Sequence, residues 1–259
     1  MSTQKARSWT LHPAHAWAIF LSIFIVPFIY RNIVFLLASP DQRMVIKNNA
    51  MMNGPPIVYL NSTDGEYIPE TFVKHPILVH GGHIIPALIW ALIFPLQFTN
   101  SLRRKFSAVH RWLGRIGLGI SMLMGISGIL MGLYKVVYVV EPQHPRQTIF
   151  KFDRITYILG AWMMLCIYYT YIYAREKKFA IHRAWALRTA AAGYSVAVMR
   201  IFIVLYTIWS EATRYEHRAE INTKQLFFGW AGWLAAVVNI FGVELYLFLY
   251  GRKPVTKQA

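Results

Sequence analysis

Long apolar stretches alternate with short polar segments along the chain. Each stretch comes close to the ~20 residues that a helix needs to cross a bilayer. Six of them in 259 residues leave too little polar sequence to wrap them as buried helices of a soluble protein. The pattern therefore predicts six membrane-spanning helices, spans 1 to 6, at residues 15–37, 76–98, 112–134, 155–174, 186–208 and 226–249.

The predicted fold class is all-α, a six-helix transmembrane bundle. Span 1 follows basic residues as a signal peptide does, but its apolar run is too long for one and no small-residue cleavage site precedes Arg31. We therefore expect an uncleaved anchor. The chain divides into an N-terminal segment 1–14, the first span 15–37, an outer loop 38–75, a five-helix bundle 76–250 and a tail 251–259.

Composition supports the membrane interpretation, since 56% of residues are apolar and only 15% are charged, against about a quarter charged in globular chains. The single cysteine, Cys166, excludes a disulfide framework and any metal or iron–sulfur site built from several thiolates. The chemistry of this protein must come from other side chains.

The net charge of +16 is unevenly distributed. With the N-terminus placed inside, the inner segments hold fifteen basic residues and one acid, Glu176, whereas the outer segments hold ten basic residues and nine acids. Lys and Arg concentrate in cytoplasmic loops, so both termini are expected in the cytoplasm, with the protein in the plasma membrane or an endomembrane. The outer loop carries Asn61-Ser62-Thr63, a glycosylation acceptor.

The same distribution excludes nucleic acid as a partner and leaves the lipid bilayer. The basic residues sit in short inner loops, where they set topology and meet anionic headgroups. No nucleic-acid motif or groove pattern accompanies them.

One internal repeat is visible. Segment 105–112, KFSAVHRW, is echoed by segment 178–185, KFAIHRAW. Each runs from an inner loop into an odd-numbered span. The repeat predicts that spans 2–3 and spans 4–5 are duplicated hairpin units.

Two histidines, His80 and His83, stand three residues apart near the outer end of span 2, on one face of an α-helix. Helical rise places His83 about 22 Å and Arg200 about 21 Å from the inner ends of their spans. Ionisable side chains inside a span usually mark a functional site, here one for an anionic or metal-bearing ligand. The alternatives are interfacial histidines bonded to loops and an arginine that braces helices through backbone carbonyls.

His110 and His182 occupy equivalent places in the repeat, at the inner boundary. Two histidines on facing helices can ligate one haem iron. The alternative is that the two His-Arg motifs anchor their helices among the headgroups, as Trp and Arg do in interface belts.

Span 6 contains two further polar residues, Glu244 and Asn239. Glu244 is too deep to stay unpaired, and Arg188 or Arg115 can reach it from the starts of spans 5 and 3. A structural ion pair is the expected role, with proton handling as the second interpretation.

A set of motifs is shared with one known family: PLQF at 95–98, HRWLGR at 110–115, HRAWALR at 182–188, Arg200, Trp233, Asn239 and Glu244. Through this set the chain resembles the domain-of-unknown-function 2306 family of bacterial and fungal multi-pass proteins, over about 79–244. The resemblance implies a helical membrane protein of the same layout and names neither reaction nor substrate.

These residues favour a membrane protein that binds a b-type haem or similar redox cofactor and passes electrons to or from a partner, as a possible membrane oxidoreductase. The candidate cofactor-binding residues are His80, His83, His110, His182 and Arg200, the four histidines as haem ligands. Spans 4 and 6 contain no histidine, so two complete bis-histidine sites cannot be assembled.

Two alternatives remain open. One is a non-redox protein that binds or transports a small anionic or amphipathic molecule. The other is a zinc-dependent membrane hydrolase that uses His75, His80 and His83, although the outer half of the spans offers no acid as general base.

Overall fold

The computed structural model describes residues 13–37, 75–134, 136, 152–213 and 221–250. Over these ranges the chain is helical, without a strand. The α-helices are α1 Pro13–Leu37, α2 Ile85–Ile93, α3 Asn100–Lys105, α4 Ser107–Leu133, α5 Phe152–Arg175, α6 Phe179–Ala212 and α7 Ile221–Tyr250. Six helical stretches are long and apolar enough to cross a membrane, which confirms the all-α class and the six spans.

Span 2 is built from three consecutive pieces. A π-helical segment, Ile77–Ile84, leads into α2, and a 3₁₀ segment, Phe94–Phe98, follows it. Pro86 lacks an N–H and cannot close the α-helical bond to residue 82, and the N–H of Ile85 bonds to the carbonyl of His80 instead. The π-helical segment at the start of span 2 thus ends just before Pro86, the residue that cannot close an α-helical bond.

Three helices begin at least five residues earlier than hydropathy predicts. α4 starts at Ser107 rather than at residue 112, α6 at Phe179 rather than at residue 186, and α7 at Ile221 rather than at residue 226. Apolar content marks only the part of a helix that lies in the hydrocarbon core. The basic and alanine-rich residues before it are good helix formers and extend the helix outward.

Consecutive spans pack antiparallel, and α1 closes the arrangement by packing against both span 2 and α6. α7 lies against α6 and α5. This topology gathers residues 99–111 and 175–183 at one end of the bundle, where His15 of α1 also contacts Thr99 (Nε2 to Oγ1, 3.3 Å). We call this the basic end and the other the opposite end.

The centre of the bundle is filled by aromatic side chains. Trp90 of α2 stacks on Phe94 with ring centroids 4.3 Å apart and meets Tyr194 of α6 edge-on at 4.7 Å. The indole N–H of Trp90 donates to Ser121 Oγ of α4 at 2.8 Å, and the Tyr194 hydroxyl lies 2.6 Å from Ser22 Oγ of α1. Spans 1, 2, 3 and 5 are therefore tied together at one buried cluster.

The loop 38–75, apart from His75, lies outside the described residues. So do Asn61 and the terminal segments 1–12 and 251–259.

Candidate functional site

His182 lies in the first turn of α6, at the basic end, and its tautomer follows from its hydrogen bond. Its Nδ1 is 2.8 Å from the carbonyl oxygen of Thr170 on α5. A carbonyl only accepts, so Nδ1 carries the hydrogen and donates it. The lone pair of the neutral ring is therefore on Nε2.

His110 lies in the first turn of α4, and its Nδ1 is buried without a hydrogen-bond partner among the described residues. The side-chain nitrogen of Gln97, at the end of span 2, is also buried and has no hydrogen-bond partner among the described residues. A Cβ placed on Gly114, one turn after His110, would lie 3.3 Å from Gln97 Oε1. The Gln97 amide thus packs on the face of α4 that also carries His110.

His110 and His182 both lie at the basic end, within electrostatic range of each other. Their helices, α4 and α6, each pack along α5 and, over the described residues, pack little against each other. The equivalent positions of the repeat therefore lie at the same end of the bundle, on two helices that both pack along α5.

Further cations surround this pair. Arg103 of α3 donates from Nη2 to Asn100 Oδ1 at 2.5 Å. Partial burial lowers the pKa of Arg103, and the positive charges of Arg183 and Arg104 lower it further. Segment 100–105 and the start of α6 thus bring like charges close together.

Both carboxylates described at the basic end are paired with other cations. Glu176 lies 2.8 Å from Lys178 Nζ, and this hydrogen bond raises the pKa of Lys178. Glu244 pairs with Arg188. The potential around His110 and His182 is accordingly positive.

Of the two arginines expected to reach Glu244, the structure selects Arg188, which forms two hydrogen bonds to the carboxylate. Arg115 instead lies over the Trp112 ring, 5.3 Å from its centroid. Asn239 donates to the carbonyl oxygen of Ala191 at 3.2 Å. Glu244 and Asn239 both join α7 to α6.

The opposite end differs from the prediction. His83 and His80 lie in the π-helical segment, where the i→i+5 pattern turns the chain less per residue than an α-helix does, so the inference of a shared α-helical face is wrong. His83 Nδ1 is 3.0 Å from Ser127 Oγ. Because Ser127 gives its hydrogen to the Met124 carbonyl at 3.1 Å, His83 is the donor.

Arg200 is half-buried, with its guanidinium carbon 5.4 Å from the centroid of the Phe228 ring on α7. His83 contacts α4 through Ser127. These two contacts do not test the joint site of Arg200 with His80 and His83, which stays a prediction.

No group of three or more His, Cys, Asp or Glu side chains in the described part of the chain is arranged to hold a metal ion. His75 stacks on Tyr134 instead, with ring centroids 5.5 Å apart. The zinc-hydrolase interpretation therefore loses its ligand set. A haem iron needs only two histidine ligands, so the absence of such groups of three from the described residues does not bear on haem.

A separate groove of about 410 Å³ lies between α6 and α7 toward the opposite end. Its lining is apolar and aromatic: Phe202, Leu205, Tyr206, Trp209, Phe227, Trp230, Ala231 and Leu234. None of the candidate site residues lines it.

Sequence reasoning did not assign Thr170 or Ser127, the partners that orient His182 and His83. A weak signal existed, since both are hydroxyl residues inside otherwise apolar spans. Nothing in the sequence pairs each with its histidine, because the pairing depends on how neighbouring helices are rotated.

Comparison with known proteins identifies one family. A family model described as "Predicted membrane protein (DUF2306)" matches residues 81–241, which is more than half of the chain. No curated protein and no solved structure matches.

Proposed function

The chain belongs to the DUF2306 family of predicted membrane proteins, and on that premise we propose that it binds a b-type haem at the basic end and transfers electrons within or across the membrane. Its multi-pass, membrane-spanning character is the starting point. The finer part of the proposal, haem binding and electron transfer, rests on the arrangement of His110 and His182.

The hydrogen bond of His182 carries the proposal. Histidines that ligate metals almost always donate their other ring N–H to a carboxylate, a backbone carbonyl or water, which fixes the tautomer and raises ligand basicity. His182 does this with the Thr170 carbonyl and keeps Nε2 as the ligand nitrogen. His182 would thus hold a haem iron through Nε2.

His110 is the second ligand. It comes from a different helix, α4, which is how cofactor sites in helix bundles are built. Its half-buried ring, of which Nδ1 is buried, lies within electrostatic range of His182. The nearby Arg103 and Arg183 supply positive charge for the carboxylates of a haem.

Bound haem would supply one-electron redox chemistry, and the protein's own residues set its position and polarity. His110 of α4 and His182 of α6 would hold the iron, and the buried aromatic cluster of Trp90, Phe94 and Tyr194 fills the centre of the bundle. We propose one haem, because α5 and α7 carry no histidine to pair with His80 or His83.

The proposal includes four finer features. The basic end faces the cytoplasm, with both termini on that side, in the plasma membrane or an endomembrane. Spans 2–3 and 4–5 are duplicated hairpins. Asn61 is a glycosylation site on the other side. An electron donor or acceptor docks at the basic end.

A second candidate function is binding of a small anionic or amphipathic molecule without redox chemistry. It is favoured by the buried Nδ1 of His110 and Nε2 of Gln97, which have no hydrogen-bond partner in the described part of the chain. Both nitrogens can donate to an anionic oxygen. A colourless protein would select this function over the first.

The ratio of haem to protein tests the proposal. Full-length protein is purified from cells with ample haem, and haem is extracted and quantified as its pyridine complex. We expect one haem per chain, lost in His110→Ala and in His182→Ala. His83→Ala is the control and should retain haem, since His83 bonds to Ser127 at the opposite end. Haem that remains bound in both His110→Ala and His182→Ala would contradict the assignment of ligands.

A further inference from the structure

The end of span 2 packs on α4 at two glycines. A Cβ at Gly117 would lie 3.5 Å from Cδ2 of Phe94, and a Cβ at Gly114 would lie 3.3 Å from Oε1 of Gln97. Phe94 is buried, so the 3₁₀ segment that carries both side chains is held against the helix. Because glycine has no side chain, the amide of Gln97 can lie directly on the surface of α4.

His110 lies on the same face of α4 as Gly114, one turn closer to the start of the helix. Residues four positions apart are neighbours on a helix surface, about 5–6 Å from each other. The long side chain of a glutamine covers a comparable distance. The Gln97 amide that lies against Gly114 is therefore within reach of the His110 ring.

Each of these two side chains has a buried nitrogen without a hydrogen-bond partner among the described residues. The two atoms are Nδ1 of His110 and Nε2 of Gln97. Buried polar groups of proteins are nearly always hydrogen-bonded, because an unbonded group has lost its contacts with water and gained nothing in return. Two such groups on elements that pack together are expected to bond to each other.

The two ends of a side-chain amide have nearly the same shape. A half-turn about the last side-chain bond of Gln97 exchanges Oε1 and Nε2 and moves no other heavy atom. The oxygen then takes the buried position at which the nitrogen has no partner, where it can accept the Nδ1 hydrogen of His110. A bond in which Nε2 of Gln97 donated to Nδ1 would instead put the ring hydrogen of His110 on its other nitrogen.

The internal repeat makes Gln97 the counterpart of Thr170. Thr170 follows Gln97 by as many residues as Lys178 follows Lys105, the first residue of the repeated segment. The carbonyl oxygen of Thr170 accepts the Nδ1 hydrogen of His182 at 2.8 Å. In the second copy of the repeat, the residue at this place thus supplies an oxygen to the histidine that begins the next span. Gln97 stands at the same place in the first copy.

We propose that Gln97 is a positioning residue: its amide oxygen accepts the Nδ1 hydrogen of His110 and leaves the lone pair of the neutral ring on Nε2. This role rests on the proposed haem function, because histidines that ligate metals almost always donate their other ring N–H. His110 and His182 would then both present Nε2 to the iron, each held by an oxygen from the preceding span. Under the second candidate function, Gln97 and His110 would both donate to a bound anion instead.

The affinity for haem and the midpoint reduction potential of the purified, full-length protein test this role. Gln97→Met keeps the length of the side chain and removes the acceptor. It should weaken the affinity for haem about tenfold or more, the usual cost of losing such a partner, and raise the potential, because His110 becomes a weaker electron donor to the iron. Gln97→Glu keeps an acceptor oxygen and adds negative charge, so it should retain haem and lower the potential.

Asn239→Leu is the control, since it removes another buried amide, one that donates to the carbonyl oxygen of Ala191. It should lower the midpoint of thermal unfolding and leave the reduction potential unchanged. A potential in Gln97→Met equal to that of the wild type, or a shift of equal size in Asn239→Leu, would overturn the role of Gln97.

The tautomer of His110 separates this role from haem binding. Magnetic resonance of isotope-labelled histidine reports which ring nitrogen carries the hydrogen, and the His110 signal is identified by its loss in His110→Ala. In full-length protein from haem-deficient cells, at a pH where the ring is neutral, we expect the hydrogen on Nδ1. In Gln97→Met it should move to Nε2, which a neutral histidine prefers without a partner. A colourless wild type from haem-replete cells would contradict the haem function, whereas a wild type with the hydrogen on Nε2 would overturn the role of Gln97.

Discussion

Arg188 and Glu244 form a two-pronged ion pair that joins α6 to α7. Nε of Arg188 is 2.5 Å from Oε1 and Nη2 is 2.7 Å from Oε2. The guanidinium carbon also lies 4.6 Å from the centroid of the Trp185 ring, one turn earlier on α6. The charge of Glu244 inside an apolar span is thereby compensated from a fixed position.

Arg188→Gln should lower the free energy of unfolding by about 2 kcal/mol, since Glu244 loses charged hydrogen bonds and keeps its charge. Thermal unfolding in detergent measures the change. Lys178→Gln breaks the other described carboxylate pair, which is exposed, and should leave the unfolding midpoint where it was. Equal effects of the two changes would mean that the Arg188 pair is as weak as a surface contact.

Gly193→Ala should destabilise the bundle by about 1–3 kcal/mol, the usual cost of overpacking a core. A Cβ at residue 193 would lie 2.6 Å from two ring carbons of Trp90, and Trp90 is 2% exposed and cannot yield. Gly242→Ala is the matched control, because nothing lies within 4 Å of its Cβ position. The control should be neutral or slightly stabilising, as alanine favours helix.

Ser121→Ala should cost about 1–3 kcal/mol, because it leaves the buried indole N–H of Trp90 without its acceptor. Trp90→Phe removes the donor and some packing. In a double-mutant cycle of unfolding free energies, the double variant should lose less than the sum of the two single variants. Strict additivity would show that the hydrogen bond contributes nothing.

Most of the fold could be predicted from the sequence, because the length of an apolar run nearly determines whether a helix crosses a bilayer. The six spans follow from that rule alone. The π-helical segment Ile77–Ile84 could not be predicted. It comes from a changed pattern of backbone hydrogen bonds near Pro86. The hydropathy of a sequence does not depend on that pattern and therefore cannot reveal it.

The candidate site could be predicted only in part. The repeat pointed to His110 and His182, since equivalent loops of antiparallel hairpins end on the same side. The expected joint site of Arg200 with His83 rests on depth and stays a prediction. Depth does not determine which neighbour a side chain faces, since helix rotation, set by packing across the bundle, decides that; the Phe228 ring is one neighbour of Arg200.

The orientation of the basic end can be tested by labelling. In a Cys166→Ala background, a cysteine at Lys177 should react with an impermeant maleimide only after cells are permeabilised, because the basic end is predicted to be cytoplasmic. A cysteine at Arg154, exposed at the opposite end, is the control and should react in intact cells. The reverse pattern would invert the topology.

The absorption spectrum of the purified protein tests the central claim most directly. We expect a Soret band that shifts on reduction with dithionite and then does not change when carbon monoxide is added, because His110 and His182 would leave no free position on the iron for carbon monoxide. A colourless preparation from haem-replete cells would contradict haem binding. A reduced spectrum that shifts with carbon monoxide would contradict ligation by two histidines.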